Sequence, residues 1–161
     1  MAKTSTKVSK SRKKERVDRR CSLLELRLTE STLTLGQEMR VNELPGTINV
    51  NITVGHLSEE SLSQLAARIA FTLTARYAPS EAAIISIQAT YVLVYKVEPL
   101  VGLSDPEKTE FAQKTGLFHC WPFWREYVHS STTRMGLPAM RMPLLVPQQL
   151  TFKNESPQTK P

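Results

Sequence analysis

Apolar and polar residues alternate along much of the N-terminal two thirds of the chain, with the two-residue period that is typical of β-strands. In the first such stretch Leu24 opens a series of alternating leucines, and Leu33 and Leu35 continue it on the opposite parity. Because successive side chains of a strand point to opposite faces of a sheet, this change of parity predicts a bulge or bend near Glu30.

Three further stretches have the same period. Residues 47–54 read TINVNITV, residues 65–77 alternate apolar and polar side chains, and residues 82–98 read AAIISIQATYVLVYKVE. The start of the third stretch is ambiguous, because residues 58–67 also fit one or two helical turns. The fourth stretch adds apolar residues such as Val92 on its second face, so we expect the sheet to be covered on both sides.

The pattern becomes helical in the C-terminal third. Residues 104–107, Ser-Asp-Pro-Glu, form a capping box with a proline in the first turn, and Gly116 is a candidate end for that helix. A second helix is predicted from Pro122 to Met135, with Gly136 as its C-terminal cap. The fold class is therefore α+β: a four-stranded antiparallel sheet followed by two helices.

The net charge of +6 is confined to one end of the chain. Residues 1–20 hold nine basic and two acidic side chains, a net of +7, while the remaining residues hold twelve and thirteen, a net of −1. The basic segment is almost without apolar residues, so it cannot offset its ordering entropy. We expect a disordered basic tail over residues 1–20, a folded domain over 21–150 and a flexible C-terminal tail over 151–161.

The basic tail has two interpretations. It can be a solvated segment that keeps the protein soluble, or it can bind nucleic acid through phosphate contacts. In the second case the binding residues are the cations at its centre, Lys10, Arg12, Lys13, Lys14 and Arg16.

Residue types that carry catalysis or hold cofactors are scattered. His119 and Cys120 are adjacent, but zinc needs three or four ligands and the other His and Cys residues have no ligand spacing. The chain has no glycine-rich phosphate loop and no stretch of about 18 apolar residues that could span a membrane. We therefore expect a cytoplasmic protein that is not an enzyme, with no catalytic residue, metal or cofactor, whose cysteines (Cys21 and Cys120) are reduced thiols.

One group of residues carries a resemblance to a known family. The order of four strands, a capped helix, P-x-x-R-E in the second helix, T-R-x-G-x-P and an apolar run resembles the SecB protein-export chaperones. The matching residues are Pro122, Arg125, Glu126, Thr133, Arg134, Gly136, Pro138, Leu144 and Pro147. The resemblance extends from about residue 23 to residue 147 and is most specific from residue 121 to residue 145.

The resemblance implies an ATP-independent holdase. Such proteins are homotetramers, built as dimers of dimers, and they hold unfolded polypeptides in hydrophobic grooves. An exposed apolar channel on a soluble protein marks a binding surface, and flexible methionines adapt to varied partners. The client-binding residues implied here are Trp121, Phe123, Trp124, Met135, Met140, Met142 and Leu144. The alternative is that the methionines and leucines of this run form core and subunit interface.

The sequence departs from the family pattern in two places. The residues after Pro147 are too few and too proline-rich for the further amphipathic helix that flanks the groove in the family. Exporting members also use carboxylates on the fourth strand to engage the motor SecA, whereas this chain has Ser86 and Gln88 there. The expected partners are therefore unfolded clients, with SecA or, as in the branch that guards toxin–antitoxin systems, an antitoxin; nucleic acid is the competing partner.

Overall fold

The computed structural model describes residues 21–36, 46–57, 63–77, 82–97 and 104–144. Its elements are β1 (Cys21–Leu35), β2 (Thr47–Leu57), β3 (Gln64–Arg76), β4 (Ile85–Val97), α1 (Asp105–Phe111), a π-helical segment (Ala112–Gly116) and α2 (Leu117–Arg134). The strands form one antiparallel sheet in the order β1-β4-β3-β2. The predicted fold class, an antiparallel sheet of four strands followed by helix, is confirmed.

One face of the sheet, the inner face, carries the core. Along β3 the buried residues alternate strictly with half-buried ones from Leu65 to Ala75, as a two-residue period requires. The ambiguity at the start of this stretch is resolved as strand from Gln64 onward, while residues 58–62 lie outside the described residues. The helical elements cross the inner face diagonally, from β2 under α1 to β4 under α2.

Two β-bulges shape β1. The register with β4 shifts between Leu23 and Glu25 and again between Leu28 and Glu30. The second shift is the predicted bulge, located one residue earlier than expected, and the first was not predicted. At this second bulge the Thr29 hydroxyl donates to the carbonyl of Thr90, at 3.1 Å. Each bulge reverses the parity, so the leucines of both halves of β1 reach the inner face.

The outer face of the sheet, opposite the helices, does not need a second cover at Val92. In the strand register Val92 lies between Arg27 of β1 and Arg68 of β3, and it is buried within the single chain. The long arginine side chains flank the valine on both sides, as amphipathic side chains commonly do around apolar surface. Arg68 also pairs with Glu30 at 3.8 Å. The expectation that another element must cover this face is therefore wrong at this position.

The two predicted helices are one uninterrupted helical rod. Residues 105–134 remain helical through the π segment, so Gly116 does not end a helix and the second helix does not begin at Pro122. Gly116 has φ −60° and ψ −48°, which is ordinary helical geometry, whereas a terminating glycine adopts the left-handed region. Pro122 lies inside α2 and is exposed, so the carbonyl group that it leaves without a donor can bond water.

The ends of the helical rod follow the sequence signals. At the N-terminus the Ser104 N–H donates to the Glu107 carboxylate at 2.9 Å, which completes the predicted capping box. At the C-terminus Gly136 has φ +72°. The Gly136 N–H donates to Thr133 at 3.0 Å and the Leu137 N–H to Thr132 at 3.1 Å, the two bonds of a Schellman motif. The predicted cap at Gly136 is confirmed.

The two glycines of the helical rod should respond oppositely to alanine. A Cβ on Gly116 would lie 3.4 Å from Ile69 Cδ1 and 3.5 Å from Ala67 Cβ, which is ordinary contact. We expect Gly116→Ala to raise the free energy of unfolding by about 0.5–1 kcal/mol, because glycine is costly in a helix interior. Gly136→Ala should lower it by about 1 kcal/mol through its positive φ alone, since no atom crowds a Cβ there. Urea denaturation of both variants measures the difference, and equal effects would contradict it.

Candidate functional site

The apolar run after α2 forms an extended segment that returns along the helix. We call residues 137–144 the return segment. The Gly136 cap reverses the chain direction, and the segment then follows α2 back toward the N-terminus of that helix. The side chains of Leu137, Met140 and Met142 are buried in the same core cluster as the helix, while Arg141 and Leu144 are exposed.

Three helix side chains hold the main chain of the return segment. The Met140 N–H donates to Thr132 Oγ1 at 3.2 Å. Arg125 Nε donates to the Met142 carbonyl at 3.0 Å, and Trp121 Nε1 donates to the Pro143 carbonyl at 3.1 Å. These contacts place the most specific part of the family resemblance, which includes Arg125, at one contiguous site.

The seven predicted client-binding residues lie in two environments at this site. Phe123 and Leu144 are exposed, with 52% and 74% of their surface accessible, and Met135 is half-buried. The other four, Trp121, Trp124, Met140 and Met142, are buried. Only the first three can therefore meet a client in this conformation, and their role stays a prediction.

Trp124 is part of the core of the chain. It is fully buried, and its ring stacks on Phe71 of β3 with centroids 4.9 Å apart and planes inclined by 9°. Its Nε1 is buried without a hydrogen-bond partner among the described residues. A buried donor without an acceptor costs stability, which the packing of the large ring has to offset.

Further apolar side chains are exposed on α2 and on β1. On α2, Phe118 is 66% exposed. On the inner face of the edge strand β1, Leu23, Leu28 and Leu35 are each about two-fifths exposed. The exposed leucine at position 24 sits at the first bulge. These exposed side chains are candidate contacts for another molecule or another copy of the chain.

The buried polar groups under α2 are held in their neutral forms. Burial raises the pKa of the Cys120 thiol, so the thiolate that nucleophilic catalysis needs is disfavoured. His119 does not serve the thiol as a base in this arrangement, because its Nδ1 lies 3.0 Å from the hydroxyl of Tyr95. Burial also raises the pKa of Tyr95 and of Tyr91, with smaller contributions from Cys120 and other neighbours.

These raised pKa values predict alkaline unfolding. The folded chain binds the protons of Cys120, Tyr91 and Tyr95 more tightly than the unfolded chain does. Their contribution to the free energy of unfolding is therefore fully present below roughly pH 8.5, the ordinary pKa of a cysteine. It should then fall progressively as the pH rises past about 10, the ordinary pKa of tyrosine. Denaturant midpoints at neutral and alkaline pH test this, and Tyr91→Phe should make the fall shallower. A midpoint independent of pH would refute it.

Metal ions, membranes and nucleic acids are the other possible binding partners that the residue types of this chain raise. Among the described residues no three His, Cys, Asp or Glu side chains are placed to share a metal ion. None of the helices described is long and apolar enough to cross a membrane. The five cations of the proposed nucleic-acid site fall within residues 1–20, outside the described residues, and their role stays a prediction.

The comparisons with known proteins place this architecture. No protein-family model matches the sequence, and no curated protein sequence matches it. A SecB-like chaperone of Mycobacterium tuberculosis, solved in complex with a ChAD peptide from the HigA1 antitoxin, superposes with a TM-score of 0.65 and 22% identity. The alignment covers 80% of this chain and 90% of that one. The chain has a SecB-like fold.

A second similar structure adds no argument. It is a Streptococcus agalactiae protein of unknown function, with a TM-score of 0.48 and 6% identity, and the match covers 77% of this chain and 97% of that one. The SecB-like fold thus rests on the mycobacterial chaperone, and it agrees with the resemblance that the residues around Arg125 and Gly136 predicted.

Sequence reasoning missed part of this site. Arg125 was matched to the family pattern but was not assigned to the client-binding site, and Thr132 was not singled out, although both share a helix face with Trp121. The spacing of these residues is visible in the sequence, but the segment that they bind is known only from the fold. Phe118 was also missed, because an exposed aromatic on a helix cannot be distinguished from a core residue by periodicity.

Proposed function

We propose that this protein is an ATP-independent molecular chaperone of the holdase type, which binds unfolded or aggregation-prone polypeptides. The observation that carries the proposal is the SecB-like fold, shared with a chaperone that was solved with an antitoxin peptide bound. The exposed Phe123 and Leu144 support it, because apolar side chains on the surface bind apolar segments of a client. Capture and release need no covalent chemistry.

In this proposal the exposed Phe123 and Leu144 and the half-buried Met135 contact the client first, and the buried Trp121 and Trp124 join only when the packing around them opens. Met140 and Met142 are buried in that packing, so they have to leave it before a client can reach the tryptophans. The client class is an extended polypeptide, either a protein destined for export or an antitoxin. The antitoxin is favoured because the mycobacterial neighbour was solved with such a peptide.

An aggregation assay tests the proposal. A chemically unfolded protein is diluted into buffer with and without this chain, and light scattering is recorded against an equal mass of an inert protein. We expect scattering to fall with rising chaperone concentration, with no effect of ATP and little effect of added salt, since hydrophobic capture is not screened. Steep loss of binding with salt would instead favour contacts through the basic tail. Unchanged scattering would contradict the proposal.

We also propose that the chain assembles into a homotetramer. Leu28 of the edge strand β1 faces the inner side and is 43% exposed. Leu23 and Leu35 on the same face of this strand are exposed to a similar extent. A long edge strand with exposed leucines offers both unpaired main-chain groups and apolar surface to a second copy. The aromatic side of α2 at Phe118 offers a second contact for joining dimers.

A negative charge at position 28 of β1 should weaken the assembly of subunits. We expect Leu28→Glu to lower the mass in solution below that of the unaltered protein, because a carboxylate at a buried subunit contact is desolvated. Thr32→Glu is the matched control, since Thr32 is exposed on the outer face of the same strand. Sedimentation at micromolar concentration measures both. A monomeric mass for the unaltered protein would contradict the assembly.

A further inference from the structure

The residues that hold the return segment lie on one face of α2. Trp121, Arg125 and Thr132 are four and seven positions apart, and such spacing places side chains along one side of a helix. Each holds a main-chain atom of the return segment, at 3.1, 3.0 and 3.2 Å respectively. α2 therefore presents a row of groups that bind a polypeptide backbone lying alongside it.

These contacts do not depend on the sequence of the segment that is bound. Trp121 and Arg125 donate to carbonyl oxygens, which every polypeptide offers at each residue. Met140 and Met142 enter the core cluster while Arg141 between them is exposed, which is the alternation of an extended chain. Methionine side chains fill irregular apolar space and are readily replaced by others.

The return segment has few other main-chain contacts. Pro138 and Pro143 have no N–H group, so the segment cannot form a regular strand ladder. Beyond Leu137, the only main-chain hydrogen bonds of the segment within the described residues are the three to α2 side chains. The segment can thus leave α2 without breaking the sheet or the Gly136 cap.

We propose that the return segment is an internal substitute for the client. In the resting protein it occupies the face of α2 that an extended client takes, and the client binds by displacing it and accepting the same hydrogen bonds from Trp121 and Arg125. This inference rests on the proposed holdase function and names how that site is regulated. Client affinity is then reduced by the fraction of molecules in which the segment is seated.

Loosening the segment without altering α2 tests this. The double variant Met140→Ser with Met142→Ser removes its two buried side chains, and Ala139→Ser with Arg141→Ser is the control at its exposed positions. The probe is an unfolded peptide of Leu, Phe, Ser and Gln, without Lys or Arg. We expect it to bind the loosened variant about tenfold more tightly than the unaltered protein, and the control variant equally. Weaker or unchanged binding to the loosened variant would overturn the inference.

A second measurement follows the segment itself. Trypsin cleavage after the exposed Arg141 should accelerate when the peptide is added to the unaltered protein, because displacement frees the segment. Unchanged or slower cleavage at saturating peptide would overturn the inference. If the loosened variant does not fold, Thr132→Val is used in its place. Of the three hydrogen bonds between α2 and the return segment, this substitution removes only the one that the Met140 N–H donates. It should likewise tighten peptide binding.

The two proposals fail in different ways. If the peptide and unfolded proteins bind to none of the variants, the holdase function is wrong, and this regulation is wrong with it. If they bind the unaltered, loosened and control proteins equally, the holdase function stands and the internal substitute is wrong.

Discussion

Replacing Trp124 by alanine is expected to lower the free energy of unfolding by about 3–5 kcal/mol, enough to unfold much of the population of a marginally stable domain. The side chain is fully buried and stacks on Phe71 at 4.9 Å, so its removal leaves a large cavity between α2 and β3. The neighbouring Phe123→Ala is the control, because Phe123 is 52% exposed. It should change stability by no more than about 0.5 kcal/mol.

Urea denaturation followed by circular dichroism measures both variants. If Phe123→Ala were as destabilising as Trp124→Ala, the exposed side of α2 would be covered in the assembled protein, and Phe123 would be a subunit contact. If Trp124→Ala were tolerated, the packing of α2 on Phe71 would not hold the fold together.

The second large effect concerns client capture. The double variant Phe123→Glu with Leu144→Glu should abolish most of the suppression of aggregation, because each carboxylate would be desolvated where a client docks. Stability should change little, since both side chains are exposed in the folded chain. Thr133→Glu with Ala139→Glu adds the same charge at exposed positions of the helix and of the return segment, and it should leave capture intact.

The measurements for this pair are light scattering, melting temperature and mass in solution. Lost capture with unchanged melting and mass is the expected result. Lost capture together with a lower mass would show that the residues join subunits. Equal loss in the control variant would mean that net charge, rather than these two positions, governs capture.

Local patterns predicted the ends of elements well. The capping box at Ser104 and the cap at Gly136 depend on hydrogen bonds between residues close in sequence, so the sequence contains all the participants. The alternation in β3 and β4 is equally local, because a strand that buries one face repeats every second residue. The SecB-like resemblance was likewise visible in the residues from Pro122 to Pro138.

Features that depend on distant contacts were not predicted correctly. Gly116 reads as a helix end in the sequence, but it adopts ordinary helical geometry where the helix packs against Ala67 and Ile69, and the helix continues. The change of parity in β1 predicts one bulge. The other register shift, after Leu23, is seen only in the pairing of β1 with β4. Both outcomes are set by packing between elements far apart in the chain.

The apolar run after α2 shows the same division. Its composition of methionine, leucine and proline, read from the sequence alone, determined that these residues must bury apolar surface without joining the sheet. Whether that surface faces a client or the chain itself was decided by the fold. The cap at Gly136 turns the run back onto α2, where Trp121, Arg125 and Thr132 bind its main chain. Hydrogen bonds to a backbone leave no signature in the sequence that is bound, so only the tertiary structure could assign them.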